Sequence, residues 1–229
     1  MNDLTLIIPA KNESESLPQV IDNLKNLDCK IKVSLKIDDK ATIDSIKNKD
    51  IEIFYQSGRG YGNSLKEAIS DCKTKYFCIF NADGSFEHND LIKMYQYVKD
   101  NDFIYTTRYE QGGGSEDDTI ITFIGNKFFS KLGNLLFSLK ISDILYTYIM
   151  AKTSSHKSLN ILSNDFRYCV ELPIKMQLAK MKYQCFPSYE KKRIAGKKKV
   201  HAFKDGFLIL TEMFRLFFKS KVFGNKIID

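Results

Sequence analysis

The sequence predicts an α/β domain built on an open, mostly parallel β-sheet with helices on both faces. Short apolar runs typical of buried strands alternate with segments of helical spacing over about 105 residues. The predicted strands cover residues 4–8, 31–37, 51–55, 76–80 and 103–107. A proline ends the first strand, and apolar residues at every third or fourth position then predict a helix. Ligands of such sheets bind beyond the carboxyl ends of the strands, so the loops there are where a site is expected.

Length and composition indicate a globular protein with one sizeable core: 229 residues, 43% hydrophobic and 28% charged. The five cysteines form no C-x-x-C pair and the three histidines lie far from them, so neither a zinc site nor a disulfide framework is predicted. No export signal is visible, and no apolar run approaches the roughly 20 residues needed to span a bilayer. We therefore expect a cytoplasmic protein with reduced thiols.

The net charge of +7 is unevenly distributed along the chain. Between Lys191 and Lys199 six of nine residues are basic, and this stretch connects an apolar strand to an apolar helix. A loop of this kind suits phosphates or anionic lipid headgroups, and the alternative is a solvated surface. No recognised nucleic-acid-binding module accompanies the charge, so no nucleic-acid partner is expected.

Polar and glycine-rich segments follow the predicted strands. Asp38 and Asp39 end the second strand, and residues 81–85, Asn-Ala-Asp-Gly-Ser, end the fourth. A carboxylate there can bind Mg²⁺ or Mn²⁺, because a hard cation prefers oxygen ligands and a diphosphate completes its shell. Residues 57–62, Ser-Gly-Arg-Gly-Tyr-Gly, have the glycine spacing of a dinucleotide fingerprint but follow the third strand rather than the first. A nicotinamide cofactor is therefore not predicted.

Taken in order, these segments resemble family 2 glycosyltransferases of the GT-A fold, specifically the dolichyl- or polyprenyl-phosphate sugar transferase branch. The resemblance covers about residues 4–205. No single motif is specific, and the ordered set carries the likeness. That set comprises residues 7–13 with 17–18, 37–39, 59–65, 80–85, 107–109 with 112–114, 143 with 146–150, 171–172 and 193–199.

The resemblance implies a glycosyltransferase that uses a nucleotide-sugar donor together with Mg²⁺ or Mn²⁺. The implied nucleotide-binding residues are Pro9, Glu13, Asp38, Asp39, Arg59, Asn81, Ala82 and Asp83. Asp83 and Ser85 would bind the ion, and the diphosphate would be bound by Arg193, Lys198 and Lys199. The acceptor phosphate would be bound by Arg108 and Lys127. The residues expected to take part in catalysis are Asp83, Arg108, Asp117 and Arg193.

Two positions depart from the family pattern. The metal-binding turn of the family usually reads Asp-x-Asp, and this chain has Asn81 in place of the first aspartate. One negative charge is therefore missing around the ion, which leaves Asp83 as its main protein ligand. Near the diphosphate Lys198 stands in place of a serine. We interpret this added positive charge as compensation for the charge missing at Asn81.

The second half of the chain contains two further predicted helices, at residues 119–139 and 203–223, both rich in apolar and aromatic residues. We divide the chain into a catalytic domain, 1–202, and a C-terminal amphipathic helix with a basic tail, 203–229. A basic amphipathic helix suits peripheral attachment to the inner face of a membrane. Packing against the core and a homodimer contact remain open as alternatives.

The leading hypothesis is metal-dependent, inverting transfer of a hexose from a UDP- or GDP-sugar to polyprenyl phosphate. An ionised phosphate acceptor needs cationic ligands rather than a general base. The first alternative is transfer to a hydroxyl of a glycan or small molecule, which needs a base such as Asp117 or Asp118. In a second alternative, motivated by Asn81, the chain binds nucleotide sugars and catalyses only weakly.

Overall fold

The computed structural model describes residues 1–196 and 199–223. The strands are β1 (Leu4–Pro9), β2 (Lys30–Leu35), β3 (Glu52–Tyr55), β4 (Tyr76–Ile79), β5 (Phe103–Thr107), β6 (Gly114–Ser115), β7 (Ile149–Lys152), β8 (Tyr183–Pro187) and β9 (Tyr189–Glu190). The helices are α1 (Leu17–Leu24), α2 (Lys40–Ile46), α3 (Tyr61–Asp71), α4 (Asp90–Tyr97), α5 (Ile120–Phe137), α6 (Thr153–Ser158), α7 (Tyr168–Leu178) and α8 (Ala202–Phe223).

The main sheet has seven strands in the order β3-β2-β1-β4-β7-β5-β8. The strands β1 to β4 run parallel, as do β5 and β8, whereas β7 is antiparallel to both of its neighbours. The prediction of an open, mostly parallel sheet is confirmed, and all five predicted strands are present with small shifts at their ends. The sequence analysis did not predict β7, which separates β5 from β4.

Helices cover both faces of the sheet because successive strand side chains point to opposite sides. In β1, Ile7 belongs to the core cluster on the face of α3, α5, α7 and α8. Its neighbours Leu6 and Ile8 belong to the second cluster, on the face of α1, α2 and α4. All three side chains are fully buried. The central strands therefore carry continuous apolar sequence, which is the pattern that predicted them.

A small parallel sheet joins β6 to β9, pairing Gly114 with Tyr189 and Ser115 with Glu190. This pairing brings the acidic loop after β6, residues 116–118, beside the basic segment after β9, residues 191–193. Each strand is two residues long, so no periodic pattern in the sequence could predict either of them. The sheet nevertheless determines which loops meet at the edge of the domain.

Helices α5 and α8 pack side by side and run in the same direction. Near its start α8 places Gly206 against Phe129, and further along Met213 lies beside Gly133. At the far end the rings of Phe137 and Phe217 are 6.0 Å apart. The α8 residues Ile209, Met213 and Leu216 belong to the main core cluster, so this helix packs onto the core beneath the sheet. Within the described ranges no helix combines the length and the apolar character needed to cross a bilayer.

Candidate functional site

The loops after β1 and β2 meet at the carboxyl edge of the sheet. Asp39 begins α2, where its Oδ1 accepts a hydrogen bond from the Thr42 N–H at 3.4 Å. Its Oδ2 accepts a second one, 2.7 Å long, from the N–H of Asn12, whose φ of 54° is left-handed. Asp39 therefore both caps a helix and fixes the loop that follows Pro9. Asp38 is exposed beside it and has no capping contact.

Glu13 is the second acidic residue of this loop, and its side chain is buried. Its Oε2 accepts a hydrogen bond from Ser16 Oγ at 3.0 Å, and its Oε1 lies 3.4 Å from Lys199 Nζ. Burial raises the pKa of Glu13 above its ordinary value, and Lys199 opposes this rise. Lys199 thus contacts the loop for which the sequence predicts nucleoside binding.

The turn after β4 carries Asp83. Gly84 adopts a φ of 80°, and Asp83 Oδ1 accepts the N–H of Ser85 at 3.0 Å. This is the conformation of an Asp-Gly turn, in which glycine permits the left-handed backbone. Ser85 is 1% exposed, and its Oγ accepts a hydrogen bond from Asn81 Nδ2 at 3.3 Å. Ser85 therefore faces inward in this arrangement, which does not favour its predicted role as a metal ligand, whereas Asp83 faces the basic segment.

The fit of the turn to a divalent ion depends on Asp83. Its Oδ2 lies 3.4 Å from Arg193 Nη1, so a positive group already lies against this carboxylate. In the described residues no group of three or more His, Cys, Asp or Glu side chains is arranged to hold a metal ion. A single carboxylate fits a hard cation only if the donor diphosphate supplies further oxygen ligands. The residues present fit that shared mode of binding.

Arg193 bridges two acidic segments. Besides its contact with Asp83, it donates hydrogen bonds to both carboxylate oxygens of Asp117, from Nε at 3.2 Å and from Nη2 at 2.8 Å. The hydrogen bonds to Asp117 raise the pKa of the Arg193 guanidinium. Backbone bonds hold the segment in place, since Ile194 N–H donates to Asp83 O and Lys191 N–H donates to Ser85 O, both at 2.8 Å. The predicted diphosphate ligand Lys198 lies outside the described residues.

The glycine-rich turn before α3 owes its composition to packing. Gly60 has a φ of 107°, and a Cβ there would collide with the carbonyl oxygen of Asn164. A Cβ at Gly62 would lie 2.5 Å from the carbonyl oxygen of Ser163. Both glycines thus let the backbone of residues 163–165 approach closely. Arg59, predicted to bind the nucleotide, is exposed in this turn.

Arg108, predicted to contact acceptor phosphate, is instead buried among carboxylates. Its Nε and Nη2 donate to Asp143 at 2.7 and 3.0 Å, and its Nη1 donates to Glu190 at 2.9 Å. Burial alone would lower the pKa of Arg108, but the hydrogen bonds to Asp143 outweigh it and raise the pKa. All three guanidinium nitrogens are engaged inside the protein. This placement does not favour direct contact with an acceptor.

Lys127, the other predicted acceptor ligand, lies at the surface near the start of α5. Its Nζ is 4.5 Å from the centroid of the Tyr109 ring and 5.8 Å from that of Phe123. Tyr109 donates a 2.5 Å hydrogen bond to Asp118 Oδ2, and Thr122 Oγ1 donates to Asp118 Oδ1 at 2.8 Å. The ammonium is therefore held over an aromatic surface next to the acidic loop.

The structure brings most of the predicted residues to one edge of the sheet. Arg193 forms ion pairs with Asp83 and Asp117, and Lys199 forms one with Glu13, whose charge also acts on Arg193 and is acted on by Asp83. Pro9 ends β1 at this edge, and Ala82 is buried beneath the turn. Sequence reasoning missed Glu190, because a single acidic residue in a two-residue strand carries no recognisable pattern.

The chain belongs to glycosyl transferase family 2, whose family model matches residues 5–159. It is therefore a glycosyltransferase, and the matched region contains the turn with Asp83 and the loop with Arg108. No curated protein sequence matches the chain. The membership confirms the family and the fold that the ordered motifs predict. The polyprenyl-phosphate branch is not confirmed by it.

Several solved structures share the fold. Glucosyl-3-phosphoglycerate synthase from Mycobacterium tuberculosis, in complex with Mn²⁺, UDP and glucosyl-3-phosphoglycerate, aligns with a TM-score of 0.67 at 12% identity. That alignment covers 93% of this chain and 79% of the synthase. Mannosyl-3-phosphoglycerate synthase from Rubrobacter xylanophilus aligns with a TM-score of 0.66 at 15% identity, covering 93% and 72% of the two chains. At such identities the likeness establishes the GT-A fold and leaves substrates open.

Proposed function

We propose that the chain transfers a hexose from a UDP- or GDP-sugar to polyprenyl phosphate, with inversion at the anomeric carbon and with Mg²⁺ or Mn²⁺. The main observation behind this proposal is the set of alternating charges at the sheet edge, in which Arg193 lies between Asp83 and Asp117. Glycosyl transfer requires the charge of the leaving diphosphate to be stabilised where it develops. Arg193 and Asp83 are suited to share that task.

For the donor, Glu13, Asp38 and Asp39 are proposed to bind the nucleoside, with Arg59 nearby. The similar synthase bound UDP together with Mn²⁺, which supports the choice of a nucleotide-sugar donor. A divalent ion would be held by Asp83 and the diphosphate, and would supply positive charge to the leaving group. Arg193 and Lys199 would neutralise the remaining negative charge of the diphosphate.

For the acceptor, the state of the acidic loop favours a phosphate over a hydroxyl. A hydroxyl acceptor needs a base within hydrogen-bond reach of its proton. Both carboxylate oxygens of Asp117 accept hydrogen bonds from Arg193, and those of Asp118 accept from Tyr109 and Thr122. Each oxygen of the two carboxylates is therefore already oriented toward a donor of the protein rather than toward an acceptor hydroxyl. An ionised phosphate needs no base, and Lys127 offers it a cation nearby.

The surface beside the site supports a lipid-linked acceptor. Helix α5 begins at Ile120, two residues after Asp118, and helix α8 begins at Ala202, three residues after Lys199. Because the two helices are parallel, their first turns lie at the same end of the pair. The first three turns of α5 and the first two turns of α8 expose large apolar side chains, namely Ile120, Ile121, Ile124, Phe128, Phe203 and Phe207. We name them the apolar rim and propose that it lies in the membrane interface beside the lipid chain.

The test is a panel of UDP- and GDP-hexoses with Mn²⁺ or Mg²⁺, read as nucleotide release and by mass spectrometry of the product. The acceptor arms are polyprenyl phosphate, 3-phosphoglycerate, a neutral sugar and no acceptor. The expected result is release that depends on polyprenyl phosphate and stops with EDTA. Release that depends on the neutral sugar or on 3-phosphoglycerate alone would overturn the lipid-phosphate acceptor.

The second candidate is transfer to a hydroxyl of a glycan or small molecule. The structurally similar synthase bound glucosyl-3-phosphoglycerate, which is the observation that favours a small acceptor. In this case Asp117 would act as the base after Arg193 has moved to the diphosphate. The third candidate, a nucleotide-sugar-binding protein with weak catalysis, still rests on Asn81. It predicts tight donor binding and no acceptor-dependent release in any arm of the panel.

A further inference from the structure

Arg108 is clamped between two buried acidic groups and two aromatic rings. Asp143, which is fully buried, accepts from its Nε and Nη2, and Glu190 accepts from its Nη1. Its guanidinium carbon lies 4.5 Å from the ring centroid of Tyr146 and 5.1 Å from that of Tyr109. The orientation of the guanidinium is therefore fixed from every side, which is more than charge neutralisation requires.

The contacts of Arg108 continue toward the acidic loop. The same Glu190 oxygen that accepts from Arg108 also accepts a 2.5 Å hydrogen bond from Ser115 Oγ. Ser115 Oγ in turn accepts the backbone N–H groups of Asp117 at 3.1 Å and Asp118 at 2.9 Å. A continuous chain of hydrogen bonds thus connects Arg108 to the backbone at Asp117.

Asp117 is the residue that holds Arg193. Two hydrogen bonds join their side chains, and Arg193 is the group that lies against Asp83. Arg108 itself makes no contact with Asp83 or Arg193 among the described residues. Its influence on the sheet edge therefore passes through other groups. The hydrogen-bonded route runs through Glu190, Ser115 and Asp117, and Asp118 Oδ1 lies 3.7 Å from Arg108 Nη1 as an additional ion pair in the same loop.

We propose that Arg108 is a positioning residue, which sets Asp117 through Glu190 and Ser115 and thereby places Arg193 at the diphosphate position. This positioning role replaces the expectation that Arg108 binds the acceptor phosphate directly. Lysine cannot take its place, because one ammonium cannot make the two-pronged contact with Asp143 and also reach Glu190. The kinetic part of the test rests on the proposed function, and the structural part does not.

The structural part uses the donor-free protein and an arginine-specific protease, with cleavage after Arg193 as the readout. The variants are Arg108→Lys and Ser115→Ala, the second of which breaks the chain while leaving Arg108 and its partners in place. The matched control is Arg167→Lys, which alters another Arg–Asp pair, with Asp165, that has no hydrogen bond or ion pair to Arg193, Asp117 or Asp83 among the described residues. Cleavage after Arg193 is expected to become several-fold faster in both variants and to stay unchanged in the control.

The kinetic part measures kcat and KM for polyprenyl phosphate in the same proteins. Both variants are expected to lower kcat about tenfold with acceptor KM within about twofold, because the positioned group acts on the leaving diphosphate. The double variant is expected to lose no more than the stronger single variant, since both act through one chain of contacts. A raised acceptor KM at constant kcat in Arg108→Lys, with wild-type behaviour of Ser115→Ala, would overturn the proposal in favour of direct acceptor binding.

The outcomes separate this inference from the proposed function. If no acceptor supports turnover in the wild type, the proposed function fails, and protease cleavage after Arg193 still decides the role of Arg108. Unchanged cleavage in both variants overturns the proposal whatever the reaction is. If Arg108→Lys does not fold, the rate of cleavage after Arg193 in Ser115→Ala and Glu190→Gln tests the proposal instead, because each of these variants leaves the contact of Arg108 with Asp143 intact.

Discussion

Arg193 Nη1 lies 3.4 Å from Oδ2 of Asp83, the carboxylate proposed to bind a divalent ion. The guanidinium and the ion are both cations, and each would occupy the same side of one partly exposed carboxylate. Arg193 also has a second partner, Asp117, so it can keep one carboxylate when it loses the other. The two contacts together suggest an exchange in which the diphosphate draws Arg193 away from Asp83 and leaves that carboxylate to the ion.

The first prediction concerns this exchange. Arg193→Gln is expected to strengthen Mn²⁺ binding to the donor-free protein by about two- to fivefold, since a competing surface ion pair is worth up to about 1 kcal/mol. The same variant is expected to weaken UDP binding in the presence of Mn²⁺ by about tenfold or more, through loss of charge-assisted hydrogen bonds. Titration calorimetry measures both. Arg167→Gln serves as the control, and Mn²⁺ affinity equal to wild type in Arg193→Gln would contradict the exchange.

The second prediction concerns the charge of the metal-binding turn. Asn81→Asp restores a second carboxylate and is expected to tighten Mn²⁺ binding, because a hard cation gains an anionic oxygen ligand. Asp83→Asn keeps an oxygen that can accept from Ser85 N–H, and it is expected to lower kcat about 100-fold or more. Activity that survives both EDTA and Asp83→Asn would remove the ion from the reaction.

The third prediction separates the two roles of Asp39. Asp39→Ala is expected to lose about 1 kcal/mol of stability, because the cap of α2 and the bond to Asn12 both disappear. Asp39→Asn is expected to keep most of that stability, since asparagine caps helices well. If Asp39 binds the nucleoside, both variants lose UDP affinity to a similar degree. Wild-type UDP affinity in Asp39→Asn would assign the residue to capping alone.

The fourth prediction concerns pH and the buried His156. Burial lowers the pKa of His156 from 6.5 to about 3, so the folded protein keeps the ring neutral. Below about pH 6.5 the unfolded chain binds a proton that the folded chain excludes. Stability is therefore expected to fall as the pH drops, by about 1.4 kcal/mol per pH unit and about 2 kcal/mol at pH 5 from this residue.

Urea unfolding of the wild type and of His156→Gln, each at pH 7 and pH 5, measures the contribution of this ring. His156 packs against Phe77 and its Nε2 lies 2.8 Å from Tyr168 Oη, so the variant is less stable at pH 7. The informative quantity is the decrease in the free energy of unfolding between pH 7 and pH 5. This decrease is expected to be about 2 kcal/mol smaller in His156→Gln than in the wild type. His201→Gln, at an exposed position, is the control. An equal loss in wild type and His156→Gln would assign the acid sensitivity to other groups.

Sequence reasoning located the fold and the sheet edge because both follow from local patterns. The buried strands β1 and β4 are continuous apolar runs, and the turn with Asp83 follows directly from the second of them. Strand β7 was not predicted because its four residues, Ile149–Lys152, are too few to show the alternation of side chains that is typical of a strand. Its place between β4 and β5 is decided by pairing over long sequence separation, which single-sequence patterns do not contain.

The roles of individual site residues were harder to predict than their location. Glu190 and Ser115 are each ordinary in sequence, and the pairing of β6 with β9 brings them together beside Arg108. The glycine-rich turn has the spacing of a dinucleotide fingerprint at the wrong strand, and Gly60 and Gly62 are required there by the close packing of residues 163–165. Such roles depend on which loops meet, and that depends on the tertiary fold.

The last prediction concerns the apolar rim and the membrane. Phe203 and Phe207 are 86% and 66% exposed, which is unusual for phenylalanine outside an interaction surface. On α8 the exposed stripe continues through Phe214, Phe218 and Val222, and Lys221 lies beside it. Each basic residue near an anionic surface contributes about 1 kcal/mol, and apolar insertion adds to that attraction. Lys226, counted in the predicted basic tail, lies outside the described residues.

Co-sedimentation with vesicles of phosphatidylcholine and phosphatidylserine, at low and at high salt, measures the attachment. Wild-type protein is expected to bind at low salt and less at high salt, because screening weakens the electrostatic part. The double variant Phe203→Ser/Phe207→Ser is expected to have a vesicle affinity at least about tenfold lower than that of the wild type. The control Ile92→Ser/Leu162→Ser removes exposed apolar side chains elsewhere and is expected to bind like the wild type. Absence of binding by the wild type at low salt would leave a second copy of the chain as the cover for the rim, which light scattering would detect. A lipid phosphate cannot leave the interface, so that outcome would also move the hydroxyl acceptor, with Asp117 as base, ahead of polyprenyl phosphate.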